Sequence, residues 1–326
     1  MKYYKASDIK RSFTGAAMEK YRKRICAGTA RGRSNMRKVW DCFIFNDGKD
    51  LDLLEIRLKE LYDTVDHFVL CESRFDFRGW RKPLYYRDNA SRFKQWSNKI
   101  IPMVVDKEVP QQRPFEQTSE WEGRAWANET HQLNILLSAL DDAGDLDLIL
   151  IGHSDEIPDH QIIPTIPIDD IHRRLRLVMF NYNFNLCEHY NSWWACNTGC
   201  LRWGQIKKRR YTATDVRDCA GAHQSDIVQY AGWHFSWFGG RQGIVGKEAT
   251  YPHPVLNFAG RKEKGDVLKY TPGGEELIYI DAIDHLPYCV QEDPIKYVHF
   301  FDYRYIESHP EYFGVQIQNP VRFGIN

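Results

Sequence analysis

LDLILIGHSDEIP (146–158) passes from an almost unbroken apolar run to a cluster of charge within two residues. A short run apolar at nearly every position reads as a strand buried on both faces of a parallel sheet. Polar residues at its carboxyl end then fall where open parallel sheets bind their ligands. Upstream, KVWDCFIF (38–45), HFVLCES (67–73) and KIIPMVV (99–105) read as further strands. Between the first two, LDLLEIRLKELYD (51–63) places Leu51, Leu54, Leu58 and Leu61 on one helical face, with Asp50 as its cap. RAWANETHQLNILLSALDDA (124–143) reads as the longest helix, stopped by Gly144. Strands alternating with helices predict βαβ units, hence an α/β fold with a mostly parallel central sheet and flanking helices. Downstream, the strand-like pieces LRLVMFNYNFN (175–185) and ELIYID (276–281) sit among aromatic- and Gly-rich loops. The expectation is one α/β domain over residues 38–326 with an irregular C-terminal half.

The composition agrees with that reading. At 43% hydrophobic, 14% aromatic and 27% charged, the 326 residues can bury a core, which excludes a disordered chain, a collagen or a coiled coil. No run of about 18 apolar residues encodes a membrane span. The first residues (MKYYKASDIKRSF) hold no apolar core of a secretory signal. Residues 1–38 carry twelve Lys and Arg against Asp8 and Glu19, although the whole chain balances 44 basic with 44 acidic residues. Residues 1–37 are therefore expected to form a basic, flexible arm able to touch an anionic membrane surface. The acidic remainder argues against a nucleic-acid partner. Eight cysteines without a CxxC pair read as structural thiols, with Cys196 and Cys200 open as a bridge or metal pair.

Two segments can carry chemistry. In HSDEIP (153–158), His153, Asp155 and Glu156 offer ligands to a hard divalent cation such as Mg2+ or Mn2+, which also favours phosphate oxygens. A solvated loop cap is the other reading of the same residues. In AGWHFSWFGG (231–240), His234 stands between Trp233 and Trp237, a setting suited to a sugar or a base. An aromatic core with a satisfied histidine is the alternative there. Lys247 can meet a phosphate, and YPHP (251–254) adds His253. GxxxxGK followed by Ser or Thr, GxGxxG after the first strand, GxSxG and HExxH are all missing, which weakens kinase-like, dehydrogenase, serine-hydrolase and zincin readings.

Taken in order, DLLEIRLKELYDTVDHFVLCES (52–73), RKPLYY (81–86), HSDEIP (153–158) and AGWHFSW (231–237) resemble the blocks of glycosyltransferase family 17, the β-1,4-mannosyl-glycoprotein 4-β-N-acetylglucosaminyltransferases. The resemblance covers most of residues 39–260. It implies an inverting transferase of GT-A-like fold, a nucleotide-sugar donor (UDP-GlcNAc in characterised members), a saccharide acceptor and a divalent metal. Asp155 falls on the last acid of the family's DxD motif and Glu156 on the Glu after it, whereas His153 replaces the first acid and removes a negative charge. Glu72, Trp233, His234, Lys247 and His253 are the expected donor-binding residues, with Lys247 or His234 facing the diphosphate. Asp226 and Glu248 flank the GWH block as candidate general bases. Animal members work behind an N-terminal membrane anchor; this chain opens without such a segment, so a cytoplasmic enzyme is expected. Two other readings stay open. One is a non-catalytic carbohydrate-binding protein on the same fold. The other is a metal-dependent hydrolase using His153, Asp155, His234 and His253, whose second acid-rich loop would have to come from Asp41 or Asp47.

Overall fold

The protein is described here by a computed structural model covering residues 37–47, 51–107, 120–188, 198–219, 226–239 and 277–313. Val39–Ile44 (β1), His67–Ser73 (β2) and Ile100–Val105 (β3) pair side by side in parallel. Parallel neighbours need a crossover, and Leu51–Leu61 (α1) supplies the first. Leu148–His153 (β4) joins the other edge of β1 in parallel, so that Ile44 lies level with His153 and with Cys71 of β2. The chain continues through Glu156–Pro158 (β5), Arg173–Leu175 (β6), Val178–Asn181 (β7), Leu186–Glu188 (β8) and Thr198–Arg202 (β9). Ile227–Val228 (β10), Gly232–Ser236 (β11) and Leu277–Tyr279 (β12) follow.

These strands form a seven-stranded sheet in the order β10-β6-β9-β4-β1-β2-β3 and a five-stranded sheet in the order β12-β8-β7-β11-β5. The first is mostly parallel, as expected. β4 itself differs from expectation, because its outer neighbour β9 runs antiparallel. It is nevertheless buried on both faces, since the sheet is covered on both sides: Leu148 and Leu150 join one apolar cluster and Ile149 and Ile151 the other. The second sheet was not legible as a sheet, its strands being too short to show a period of two.

The long helix differs at both ends. Glu120–Ile135 (α2) begins earlier than predicted, and residues Leu136–Ala139 tighten into a 3-10 turn. With three residues per turn, Leu133 and Leu136 stay aimed at the same core. Trp203–Arg209 (α3) and Ala213–Asp218 (α4) then flank β9. α1 lies between two cores. Leu54, Leu58 and Leu61 pack with Phe43 and Phe68 of the main sheet and with Phe93 of the 3-10 helix Ala90–Trp96, while Leu53 and Ile56 meet the aromatic core under the second sheet. That core sets Phe184 edge-to-face with Phe235, Phe300 and Phe301, with centroids 5.1–5.3 Å apart. Each such buried side chain contributes roughly 1.5–3 kcal/mol. Cys42, Cys71, Cys187, Cys200, Cys219 and Cys289 are free thiols, while Cys196 lies outside the described residues.

Candidate active site

The chain leaves β4 at His153, turns through Ser154 and Asp155, and enters β5 at Glu156. β5 pairs antiparallel with β11, with His234 opposite Glu156 and Gly232 opposite Pro158. The two segments singled out in the sequence are therefore adjacent strands. Gly232 is required at this junction: its φ is +145°, and a Cβ would lie 2.1 Å from the carbonyl oxygen of Ile157. Strand alternation then sorts the side chains of β11. His234 turns to Asp155, with Nε2 3.6 Å from Oδ2. Trp233 and Phe235 turn the other way into the aromatic core, where the Trp233 indole N–H donates to the His285 carbonyl at 2.5 Å.

Glu156 sits behind the turn, 1% exposed, with both carboxylate oxygens engaged. Oε1 accepts from Arg217 Nη2 of α4 at 2.7 Å, and Oε2 accepts the backbone N–H of His153 at 2.9 Å. Burial opposes its ionised form, but Arg217, His153 and His234 outweigh burial and its pKa is lowered. Glu129 of α2 is arranged in the same way, with Oε1 3.2 Å from His153 Nε2. Burial again opposes its charge, and His153 with Arg217 overcomes it. Arg217 shows the converse: burial disfavours the guanidinium, while Glu156 and Glu129 raise its pKa. Glu129 and Arg217 went unseen in the sequence, because each lies on a helix with no local motif; only the fold brings them to HSDEIP.

The turn is also held from below. Arg57 of α1 is fully buried and clamps Asp41 of β1 through Nε at 2.8 Å and Nη2 at 2.6 Å. Its Nη1 donates to the carbonyls of His153 at 2.8 Å and Glu156 at 2.6 Å. Three backbone or carboxylate partners thus fix the two ends of the acid turn. The same pair removes a support of the hydrolase reading, since Asp41 is committed to Arg57 inside the fold rather than presented on an acid-rich loop.

A cation fits the turn in part. Ligand atoms of His153, Asp155 and Glu156 lie within 4.8 Å of one another. His153 Nε2 is buried 3.2 Å from Glu129 Oε1 without an aligned hydrogen bond, so a metal there would compete with that carboxylate for the imidazole. Asp155 adds a carboxylate. Glu156, already saturated by Arg217 and the His153 N–H, contributes charge from behind. One carboxylate with substrate phosphate oxygens suits Mg2+ or Mn2+, and of the two Mn2+ better accepts an imidazole as well.

The remaining predicted residues are dispersed. Glu72 is at the end of β2, 1% exposed, and its two oxygens accept the N–H groups of Tyr86 and Arg87 at 3.0 Å each. Burial raises its pKa although both bonds favour the carboxylate. Asp226 is half-buried beside β10 at the edge of the main sheet, within the field of Arg173, and is not brought to the acid turn. Lys247, Glu248 and His253 lie outside the described residues.

A sequence model of glycosyltransferase family 17 matches residues 15–254. The chain belongs to glycosyltransferase family 17. This family 17 chain is 26% identical over 230 residues to the β-1,4-mannosyl-glycoprotein 4-β-N-acetylglucosaminyltransferase of Homo sapiens, covering 62% of this chain and 41% of that one. The Rattus norvegicus and Mus musculus proteins of the same name match at 26% and 25% over the same shares of each chain. The chain thus spans about two-fifths of the length of these relatives, 41% of each. A crystal structure of a mycobacterial protein overlaps 45% of this chain and 42% of its own at a TM-score of 0.23 and 16% identity, too loosely to bear on fold or function. The family match covers HSDEIP and the GWH strand, the two segments that β5 and β11 join. Among the described residues no helix of this family 17 member is long and apolar enough to cross a membrane.

Proposed function

We propose that this chain is an inverting glycosyltransferase of GT-A-like fold that moves a sugar, GlcNAc foremost, from a UDP-sugar to a saccharide acceptor. The observation that supports it best is the convergence of His153, Asp155, His234, Glu129, Glu156 and Arg217 at the carboxyl end of β4. In an inverting transfer the acceptor oxygen attacks C1 opposite the diphosphate, the C1–oxygen bond to the diphosphate breaks, and a base takes the hydroxyl proton. Asp155 and His153 are the residues to hold a divalent cation, which when bound supplies positive charge to the departing diphosphate. His234 shares that edge and can donate to a phosphate oxygen. Arg217 and Glu129 keep the acid turn close to charge balance, so the site tolerates the histidine at the first acid position. Of the two expected bases, Asp226 stands away from the acid turn, which leaves Glu248, outside the described residues, as the proposed base. The basic arm, residues 1–37, is proposed to lie outside the catalytic domain and against an anionic surface.

Turnover of UDP-GlcNAc with a glycan acceptor, read as UDP release, tests the proposal. Wild-type protein should release UDP in the presence of Mn2+, and Asp155→Ala should lose at least a hundredfold of the rate while keeping its thermal midpoint. Equal rates for the two would remove Asp155 from the site. A second reading, a carbohydrate-binding protein on the same fold, draws on the missing first acid and on Glu156 being saturated; it predicts glycan binding with no UDP release from any donor.

A further inference from the structure

Near the carboxyl ends of β1 and β2 a different polar group is enclosed without a hydrogen-bond partner among the described residues. The chain beyond β2 folds back as a hairpin: Phe75 bridges Arg81, and the Lys82 N–H donates to the Arg74 carbonyl at 2.9 Å. This returns the Lys82 side chain toward Glu72 and over the Tyr85 ring, with Nζ 5.1 Å from the centroid. Lys82 Nζ is enclosed and has no hydrogen-bond partner among the described residues. An enclosed ammonium that donates to nothing loses the hydrogen bonds of hydration, which the Tyr85 face and the nearby carboxylates offset only through space. Such a group is retained where something else accepts from it.

The neighbours say what that acceptor is. Asp47 beyond β1, Glu72 and Cys71 of β2, and Asp76 of the hairpin are the titratable groups that act on Lys82. Burial raises the pKa of both Glu72 and Asp76. A phosphate here would meet three carboxylates for one ammonium, and like charges repel. An uncharged ligand rich in carbonyl and hydroxyl groups fits instead, accepting from Lys82 and donating to the carboxylates. The register relates this corner to the acid turn: His153, Ile44 and Cys71 lie level on adjacent strands, which places the end of β2, to which Lys82 returns, two strand spacings, roughly 10 Å, from the end of β4. That is the scale of a nucleoside diphosphate laid along the sheet edge, with its phosphates at β4.

We propose that Lys82 is a specificity-determining contact for the nucleoside half of the donor, its ammonium donating to an uncharged carbonyl or hydroxyl oxygen between the ends of β1 and β2. The proposal rests on the glycosyltransferase reading above. Burial first of all lowers the pKa of Lys82 to about 8. The ammonium is therefore lost as pH rises through about 8, and nucleoside affinity should weaken over that interval.

UDP is titrated calorimetrically and uridine by competition, on wild type, Lys82→Met and Lys82→Arg, and the unliganded thermal midpoints are compared. Lys82→Met should keep or raise the midpoint, because it removes an orphan charge. It should weaken uridine and UDP by the same factor, tenfold to a hundredfold in order of magnitude for one charge-assisted hydrogen bond. The wild-type decline above pH 8 should flatten in Lys82→Met and in Lys82→Arg, whose guanidinium does not titrate there. A loss for UDP with none for uridine, or a uridine that does not compete at all, overturns the nucleoside assignment in favour of phosphate. A lowered midpoint for Lys82→Met with uridine and UDP affinity unchanged marks a structural ammonium and overturns it as well; should Lys82→Met fail to fold, a decline above pH 8 as steep in Lys82→Arg as in wild type does the same. Wild type that binds neither ligand overturns the donor reading itself, and the inference with it.

Discussion

Arg57 shows how much one residue can organise. Its guanidinium ties a β1 carboxylate to both ends of the acid turn, so α1, the sheet and the site are joined at one fully buried point. Removing one partner of a buried pair leaves an uncompensated charge, at a cost of about 3–5 kcal/mol. Arg57→Met should lower the thermal midpoint by on the order of 10 °C in a chain of this size. Pairing it with Asp41→Leu removes both charges and should recover most of that loss in a melting curve. Transfer activity should not recover, because the carbonyls of His153 and Glu156 still lack their donor. Recovery of both together would make Arg57 a residue of stability alone. Sequence reading missed Arg57 for a physical reason: arginine on a helix is ordinary, and only the nearly all-round burial of α1 makes this one exceptional. His153, Asp155 and Glu156 were legible because polar residues directly after an apolar strand must face something, and His234 because it stands between two tryptophans in a Gly-rich segment.

At the scale of elements, α1 is a wedge between the two sheets, held at its first turn by charge. Asp52 accepts from His299 Nε2 at 2.9 Å and from Arg92. The His299 hydrogen bond is the main cause that lowers its pKa to about 2, with Arg92 adding to it and burial opposing. A carboxylate whose folded pKa lies below its ordinary 3.8 stabilises the fold above that value and loses the contribution as pH falls toward 2. Midpoints measured from pH 5 to pH 2 should therefore fall more steeply for wild type than for Asp52→Asn; parallel curves would mean that solvent screens this half-exposed contact completely. β1 to β4 and α1 were read from the sequence within a residue or two, because buried strands and amphipathic helices write their period into the chain. The ends of α2 were not, and of the second sheet only the strand-like pieces that hold β7 and β12 were. A 3-10 turn has no period distinct from the helix it ends, and strands of three or four residues are too short to alternate visibly.

At the scale of the molecule, the edge running from β2 through β1 to β4 carries Lys82 at one end and Asp155 at the other, with the DEIP and GWH segments locked into one ladder. A ligand that spans this edge must stabilise the folded state as a whole. UDP at about 100 times its dissociation constant should add roughly 2.7 kcal/mol, read as a rise of several degrees in the midpoint. The rise should grow when Mn2+ is added and should be smaller for GDP or CMP. A rise independent of metal would leave His234 and Arg217 to carry the diphosphate; no rise with any nucleotide would favour the carbohydrate-binding reading.

The sequence alone determined the α/β class, the main strands, the placement of charge after β4 and the resemblance to family 17, because each is written locally in apolar periodicity or in a contiguous motif. Only the tertiary structure decided that β5 and β11 pair, that Arg57 holds the acid turn, that Glu129 and Arg217 balance it, and that Lys82 Nζ is enclosed with no hydrogen-bond partner among the described residues. Those facts depend on burial and on contacts between residues up to about a hundred positions apart, as between Arg57 and Glu156. Solvent exclusion there turns an ordinary surface charge into one that must be answered, and a linear pattern carries no record of it.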